Sequence, residues 1–493
     1  MKTALAHTAA PDADAIKSYP LVLDLDGTLL RTDLLYEATL QFLKRRPFGI
    51  FLLAWWLCRG VAYLKHQVAM RSDLAIQLLP VNEALVGYAR GAAEGGRTVI
   101  AATAANHELA AKVCTRFPFI SEVLSSCERQ NLKGTRKAQV LTQRFPEGFA
   151  YAGDSAADVQ VWRAAQSGVF AGRDPHILAE LSKNTALEAD FSKPKPNVST
   201  WLRATRVHQW AKNGLLFLPL LLAGQFLDLD RWSACIAAFV AMGLTASATY
   251  IINDLLDLEA DRQHWSKRSR PIAAGEIGIP QAVIASIVLL SAGLLLAIGG
   301  AGLPAAGLLV VYCAVTLGYS LNLKRVPVLD VTVLASLFTL RLVLGAAAAQ
   351  VRISAWLLVF SMFLFLSLAL AKRSTEMGRK SASGHGEAPS HGRGYVAADV
   401  PLIAGFGLSS AIAAIHVLVL YLINDAFSDS LYRFPQLLWV APVLIGLWLG
   451  RVWLLCGRGL LHDDPIQFAV CDKVSILLGA GVVASFAGAA LIP

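Results

Sequence analysis

Apolar residues are distributed very unevenly along this 493-residue chain. Before about residue 200, short apolar runs alternate with amphipathic stretches, whereas from Trp201 onward apolar runs of roughly 18 to 24 residues dominate. Runs of that length predict membrane-spanning helices, and we expect about nine of them. The predicted spans are 214–229, 233–252, 279–299, 303–320, 328–348, 354–371, 399–423, 434–455 and 470–491.

The first part of the chain has the pattern of an α/β domain. Strand-like runs at 21–28, 97–103 and 149–158 alternate with helical patterns, which predicts a Rossmann-like parallel sheet with its ligand site at the carboxyl ends of the strands. We therefore expect four parts. They are a tail at 1–18, an α/β domain at 19–190, a linker at 191–200 and an all-α membrane bundle at 201–493.

Composition and charge support a membrane enzyme rather than a nucleic-acid-binding protein. Hydrophobic residues make up 55% of the chain and charged residues only 16%, which is too apolar for a soluble protein. The net charge of +9 comes from basic residues that cluster beside apolar runs, as the positive-inside rule predicts. The seven cysteines are scattered without metal-site spacing, so we interpret them as reduced packing residues.

The placement of basic residues predicts the orientation. The N-terminus is small and polar without a signal-peptide core, so we expect an integral inner-membrane protein whose first domain faces the cytoplasm. Loops after the second, fourth, sixth and eighth predicted spans would share that side, and they carry most of the loop lysines and arginines.

Two pairs of aspartates follow predicted strands of the α/β domain. Asp24 and Asp26, two residues apart after an apolar strand, leave the sheet on the same side, and Gly27-Thr28 forms a turn. Asp154 and Asp158 follow the run at 149–153. The D-x-D-G-T and G-D-x-x-x-D motifs resemble those of haloacid dehalogenase-like phosphatases over about residues 19–185.

That resemblance implies a magnesium-dependent phosphatase. Asp24 would be the nucleophile and Asp26 the general acid/base, while Thr103 would bind phosphate and Lys137 would stabilise charge, with Lys133 as an alternative to Lys137. Mg²⁺ would be held by Asp24, the Asp26 carbonyl and Asp154, with support from Asp158.

An insertion at about 33–93 resembles the helical cap of the same family. Within it, residues 47–58 are unusually apolar but too short to span a bilayer. Flanking basic residues favour contact with the membrane interface, and a buried cap helix is the alternative.

The most unusual polar segment runs from Asn253 to Glu276, directly after the second predicted span. On a continuous helix Asp254, Asp257 and Asp261 fall within roughly a 60° sector, so one face carries three carboxylates. Such a cluster suits Mg²⁺, whose remaining ligands are water and substrate phosphate oxygens. The alternative is a solvated acidic helix end followed by a basic membrane anchor.

Further polar groups fall on the same predicted side of the membrane, and we expect them to form the rim of one cavity. They are Arg206, Gln209, Lys212, Asn213, Asn253, Lys267, Arg268, Arg270, Tyr319, Lys324, Lys372, Arg373, Glu376 and Asp464.

With these motifs, residues 201–493 resemble the UbiA-type polyprenyl transferase superfamily, whose members are Mg²⁺-dependent. In the aromatic-prenylating branch a second aspartate motif follows the sixth span, but here that position reads Lys372-Arg373-x-x-Glu376. A basic loop suits a phosphate monoester better than a diphosphate held through metals. The chain therefore resembles the decaprenylphosphoryl-5-phosphoribose synthase-like branch.

The resemblance implies transfer of 5-phosphoribose from phosphoribosyl pyrophosphate to a polyprenyl phosphate. Asp254 and Asp257 would hold Mg²⁺, with Asp261 as a further ligand or a ribose contact. Arg206, Lys212, Lys267, Arg268 and Arg270 would neutralise phosphates, and Lys372 and Arg373 would bind the lipid phosphate. Tyr319 and Lys324 would orient the sugar.

A phosphatase on the same face of the membrane could remove the 5-phosphate of the transferase product. Two alternatives remain at this point, an aromatic polyprenyltransferase with an accessory phosphatase and a membrane-anchored phosphatase. Homo-oligomers are compatible with the sequence, and we expect no nucleic-acid partner.

Overall fold

The computed structural model describes residues 19–127, 131–225, 227–382, 394–427, 432–461, 468–469 and 471–491. Two compact units divide the chain. The first consists of residues 1–205 together with 250–285, and the second consists of residues 206–249 together with 286–493. The polar segment after the second predicted span therefore belongs to the same unit as the α/β domain.

Six parallel strands form the centre of the first unit, in the order β3-β2-β1-β4-β5-β6. Leu21 of β1 pairs with Val99 on one side and with Ala150 on the other, so the first strand is central. The predicted parallel sheet is confirmed. The strands are β1 Leu21–Leu23, β2 Val99–Asn106, β3 Glu122–Ser126, β4 Ala150–Gly153, β5 Ser167–Phe170 and β6 Ala186–Asp190.

Helices surround this sheet because its central strands are apolar on both faces. β1 and β4 are fully buried, with Leu21 and Leu23 in one core cluster and Val22 and Tyr151 in another. The helices are α1 Leu34–Arg45, α2 Ile50–Cys58, α3 Val61–Ala69, α4 Glu83–Glu94, α5 His107–Cys114, α6 Thr135–Arg144, α7 Val159–Trp162, α8 Pro175–Asn184 and α9 Val198–Thr205.

The insertion between β1 and β2 is helical, as expected for a cap. Asp33 starts α1 by accepting a hydrogen bond from the Leu35 amide at 2.8 Å. In α2 and the turn before it, Trp56 is buried but most other large apolar side chains are exposed, including Phe48 and Phe51, the latter 74% exposed. The alternative of a fully buried cap helix is therefore wrong for α2.

Among the described residues, eight helices are long and apolar enough to cross a membrane, one fewer than expected. They include α11 Leu229–Leu256, α13 Ile279–Gly300, α14 Leu303–Leu321, α15 Leu329–Ala349, α16 Ala355–Ala382, α17 Val400–Tyr421, α18 Val440–Gly457 and α19 Lys473–Leu491. Two short helices, α10 Leu218–Leu222 and α12 Leu258–Gln263, flank α11.

The predicted span at 214–229 is wrong. A 3₁₀ helix runs from Val207 to Phe217 and the five-residue α10 follows it. Pro219 cannot donate the hydrogen bond that a continuous α-helix needs, and Gly224 ends the segment with φ of +68°.

Candidate active sites

Asp24 lies directly after β1 in a buried network of charged and polar groups. Lys137 Nζ, on the first turns of α6, donates to Asp24 Oδ2 at 2.9 Å and to the Tyr151 hydroxyl at 2.8 Å. Tyr151 in turn donates to Asp158 Oδ1 at 2.7 Å. Of the two candidate lysines, Lys137 is thus the one that contacts Asp24, while Lys133 is exposed.

The second acidic pair is held by the turn after β4. Asp158 Oδ2 accepts hydrogen bonds from the Asp154 and Ser155 amides at 3.2 and 3.0 Å and from Ser155 Oγ at 2.8 Å. The Asp154 carboxylate faces Gly27, whose φ is +72°, and a Cβ at that glycine would lie 2.3 Å from Asp154 Oδ2. Only glycine therefore lets the turn after Asp26 approach Asp154 this closely.

Burial and mutual repulsion set the protonation of these acids. Desolvation, followed by repulsion from the carboxylates of Asp158 and Asp24, raises the pKa of Asp154 to about 7. Desolvation also raises the pKa of Asp26 well above its usual value. Asp26 Oδ1 accepts a hydrogen bond from the Leu34 amide at 2.9 Å, at the start of α1. A carboxyl whose pKa is raised in this way suits a general acid.

These acids open into a cavity of about 590 Å³. Its lining includes basic residues that the sequence reading did not single out, namely Arg31, Lys65, Arg173 and Lys193. Burial lowers the pKa of Lys193 to about 8. Thr103 is fully buried with Oγ1 accepting from the Ala105 amide at 3.0 Å, and β2 continues three residues past it rather than ending there.

A second pair of buried carboxylates lies at the carboxyl end of α11 and in α12. Arg270 Nη1 is 3.0 Å from Asp254 Oδ1 and also donates to Asp261 Oδ2. Lys267 Nζ lies 3.8 Å from the other oxygen of Asp261. The Arg270 guanidinium thus lies between Asp254 and Asp261, two residues that the sequence predicts on one face of a helix.

Asp257 lies at the junction between α11 and α12. The α-helix does not continue through it, because α11 ends at Leu256 and Asp257, with φ of −98° and ψ of 12°, precedes α12. Its backbone still joins the two helices, since its amide donates to Asn253 O and its carbonyl accepts from the Asp261 amide. Asn253 is half-buried and Arg268 is exposed.

The segment that carries Asp254 and Asp261 is anchored on the α/β domain. Arg262 donates to both carboxylate oxygens of Glu37 on α1, at 3.1 and 2.6 Å, and both side chains are buried. Arg173, after β5, donates to the carbonyls of Gly275 and Glu276, each at 2.6 Å. No sequence signal distinguished Glu37 or Arg173, because each lies outside the motifs.

In the second unit, Arg373 on α16 is neutralised within the protein. Its Nε donates to Asp330 Oδ2 at 2.8 Å, it pairs with Glu376 at 2.5 Å, and its Nη2 is 3.4 Å from the Tyr319 hydroxyl. Asp330 also accepts a hydrogen bond from Tyr395 at 2.5 Å. Asp330 was missed because it lies inside an apolar span without a motif around it.

The remaining candidates fall in three places. Arg206 has φ of +51° and precedes the 3₁₀ helix that contains Gln209, Lys212 and Asn213. Lys324 and Lys372 are half-buried in the second unit. Asp464 lies outside the described residues.

The donor sets fit magnesium. Within the described residues no group of three or more His, Cys, Asp or Glu side chains is arranged as a metal site. Instead, carboxylates flank one basic nitrogen, Arg270 Nη1 between Asp254 and Asp261 and Lys137 Nζ between Asp24 and Asp158. Mg²⁺ needs only one or two carboxylates, because water and phosphate oxygens complete its shell.

Comparison with known proteins adds a family. Residues 215–459 match the UbiA prenyltransferase family. The chain is 40% identical to uncharacterized protein y4nM of Sinorhizobium fredii, over 95% of this chain and 91% of that protein. It is 37% identical to decaprenyl-phosphate phosphoribosyltransferase of Corynebacterium glutamicum, over 41% of this chain and 62% of that protein. A UbiA homolog from Archaeoglobus fulgidus, solved with GPP and Mg²⁺, gives a TM-score of 0.40 at 15% identity, covering 58% of this chain and 99% of that one.

Proposed function

Because this chain belongs to the UbiA prenyltransferase family, we propose that it transfers 5-phosphoribose from phosphoribosyl pyrophosphate to a polyprenyl phosphate and releases pyrophosphate. The N-terminal domain then removes the 5-phosphate. Similarity to the decaprenyl-phosphate phosphoribosyltransferase of Corynebacterium glutamicum supports transfer of a phosphoribosyl group to a polyprenyl phosphate. The chain spans about three fifths of that relative's length.

One observation carries the transferase proposal. Asp254 and Asp261 are buried, yet both aim a carboxylate oxygen at the same basic nitrogen of Arg270. Buried carboxylates repel each other unless a cation lies between them, so this is a built cation position at the end of a membrane helix. Mg²⁺ held by Asp254 and Asp261, with Asp257 at the kink between them, would neutralise the departing pyrophosphate.

The basic residues of the two units have complementary tasks in the proposed reaction. Arg270 and Lys267 bind pyrophosphate oxygens once they turn from the aspartates, and Arg268 is exposed for the same purpose. Lys212 and Lys372 neutralise phosphate charge on the substrates. Arg373 differs, because its charge is balanced by Asp330 and Glu376; it positions Tyr319 and Glu376 for the sugar.

The chemistry requires no protein nucleophile in the transferase. The bond from ribose C1 to pyrophosphate breaks as positive charge develops on the ring, and an oxygen of the lipid phosphate forms the new bond to C1. These residues hold the two phosphates in place and stabilise the negative charge that develops on the departing pyrophosphate. Formation of that charge is the main barrier to this step.

For the N-terminal domain we propose a phosphatase of the haloacid dehalogenase type. Asp24 attacks the phosphoryl group while the bond from phosphorus to the sugar oxygen breaks, Lys137 neutralises the phosphoryl oxygens, and Asp26 donates a proton to the leaving sugar oxygen. Asp26 then takes a proton from a water molecule that attacks the aspartyl-phosphate, which releases inorganic phosphate and restores Asp24. Asp24, Asp154 and the Asp26 carbonyl would hold Mg²⁺, which would balance the added phosphate charge. The location follows from the same proposal, an inner-membrane enzyme with both sites on the cytoplasmic side.

A donor assay tests the transferase proposal. Full-length protein in lipid nanodiscs receives a polyprenyl phosphate with phosphoribosyl pyrophosphate labelled in its ribose, or a prenyl diphosphate with 4-hydroxybenzoate. We expect label in the lipid fraction from the first mixture and no prenylated acid from the second. Prenylated acid without ribosylated lipid would make the enzyme an aromatic prenyltransferase and overturn the proposal.

A further inference from the structure

Arg341 is a buried arginine in the middle of a membrane-spanning helix. It lies about 18 Å along α15 from the first residue of that helix, Leu329. Its side chain packs against Phe338 and Tyr312, with the guanidinium carbon 4.9 and 5.5 Å from the ring centroids, and the residue is only 5% exposed. No carboxylate within the described residues lies within 4 Å of it, so the charge has no anionic partner there.

Its polar contacts leave hydrogen-bond donors unused. Nη1 donates to Leu337 O at 2.6 Å and Nε donates to Asn213 Oδ1 at 3.0 Å. Nη2 has no hydrogen-bond acceptor in the described part of the chain. The Asn213 amide nitrogen is likewise buried without a partner. Two hydrogen-bonded neighbours in the described part of the chain, Arg341 and Asn213, thus each have a nitrogen donor without an acceptor, and Arg341 adds a positive charge.

The backbone holds these groups together. Asn213 belongs to the 3₁₀ helix Val207–Phe217, which packs so closely on α15 that a Cβ at Gly345 would lie 1.9 Å from Leu216 O. On the same 3₁₀ helix, the Lys212 ammonium lies 5.9 Å from the Phe338 ring centroid. Helices that depart from the regular α form inside a membrane bundle are usual where they line a polar or ligand-binding space.

We propose that Arg341 and Asn213 form an intramembrane binding site for a phosphate group of a substrate. A site that offers donors only, with net positive charge, accepts a ligand that has acceptors only, and phosphate oxygens match that requirement. The phosphate belongs either to the polyprenyl phosphate or to phosphoribosyl pyrophosphate. The inference rests on the proposed transferase function, which supplies both ligands.

The variant Asn213→Asp separates this role from a structural one. Aspartate keeps the acceptor for Arg341 Nε and adds an ion pair, so folding is preserved. The same change removes the free amide donor and neutralises the arginine, so phosphate binding is lost. Arg341→Gln is the second variant, and Arg341→Lys, which keeps the charge, should retain part of the affinity.

Binding is measured on full-length protein in nanodiscs with three probes, a polyprenyl phosphate, phosphoribosyl pyrophosphate with Mg²⁺, and inorganic pyrophosphate. We expect Asn213→Asp and Arg341→Gln to weaken at least one probe by about tenfold or more, without a lower thermal midpoint for Asn213→Asp. A loss confined to the lipid identifies the lipid phosphate, and a loss confined to the soluble probes identifies the donor.

Arg451→Gln is the matched control, because Arg451 lies on membrane helix α18 but pairs with Asp472 at 2.6 and 3.1 Å. It should leave all three affinities unchanged. The inference is overturned if no probe shows an affinity that depends on Arg341 and Asn213. A different result would overturn only the proposed transferase function. In that case wild-type protein binds a probe with an affinity that depends on Arg341 and Asn213, but it transfers no ribose.

Discussion

The two aspartate sites of the first unit use the same arrangement with different rigidity. In the site after β1, Lys137 on α6 links Asp24 and Asp158 and its side chain is only 2% exposed. In the site after α11, Arg270 links Asp254 and Asp261 from the end of a short 3₁₀ turn, and its side chain is 27% exposed.

This difference indicates different tasks for the two cations. Lys137 is fixed by helix packing and by Tyr151, so it serves as a permanent member of its site. Arg270 directly follows the short 3₁₀ turn Lys267–Ser269, and in the proposed reaction it exchanges between the carboxylates and substrate phosphate. A permanent charge suits phosphoryl transfer on Asp24, whereas an exchangeable charge suits the release of pyrophosphate.

The largest expected effect comes from removing the acids of the exchangeable site. Asp254→Asn or Asp261→Asn should lower ribose transfer on the order of a thousandfold, because charge stabilisation of the leaving group is lost. Phosphate release from a soluble sugar phosphate should be retained. Glu259→Gln, on the exposed side of α12, is the control. Transfer by the aspartate variants at the control rate would exclude a role for this pair.

Replacing each of the two basic residues by methionine tests the difference between the fixed and the exchangeable cation. Lys137→Met leaves Asp24 and Asp158 buried without their cation, so we expect a loss of about 3 to 5 kcal/mol of unfolding free energy and no phosphatase activity. Arg270→Met should cost less than Lys137→Met, because the Arg270 side chain is 27% exposed and Lys267 still lies 3.8 Å from Asp261.

Metal binding distinguishes the two variants further. Without Arg270 the acids Asp254 and Asp261 are free for the metal, so the transferase should need less Mg²⁺ while its KM for phosphoribosyl pyrophosphate rises. Thermal unfolding and Mg²⁺ titrations of transfer check both variants. A weaker Mg²⁺ requirement only in Lys137→Met would reverse the assignment of fixed and exchangeable cations.

A smaller effect is expected from the anchor between α1 and the segment that carries Asp261. Glu37→Gln removes the carboxylate that accepts both hydrogen bonds from Arg262. Because this segment positions Arg270, we expect transfer to fall about three- to tenfold although Glu37 lies in the α/β domain. Glu83→Gln, at the exposed start of α4, is the control, and equal transfer rates in both variants would show that the anchor is only structural.

The smallest effect concerns α2. If its exposed apolar face meets the membrane interface, a nitroxide on Phe51→Cys in the full-length protein should be accessible to lipid-soluble oxygen and protected from a water-soluble nickel reagent. A nitroxide on Lys183→Cys, exposed on α8, should show the opposite preference. Equal behaviour of the two labels would mean that α2 faces water.

Motif spacing predicted the parallel sheet and the meeting of Asp254 with Asp261, because strand and helix periods fix which residues share a side. It could not predict Arg270 between them, since that contact depends on how an irregular segment folds back. Hydropathy predicts a span at 214–229 because it averages over Pro219 and Gly224, which interrupt the helix there. Arg341 and Asp330 were hidden for the same reason, as single charges within apolar runs.

The most direct test of the whole account is mass spectrometry of the lipids made by Asp24→Asn protein from phosphoribosyl pyrophosphate and a polyprenyl phosphate. We expect this variant to accumulate polyprenylphosphoryl ribose 5-phosphate. Wild-type protein should instead yield polyprenylphosphoryl ribose, which lacks the 5-phosphate. Full dephosphorylation by the variant, or no ribosylated lipid from either protein, would contradict it.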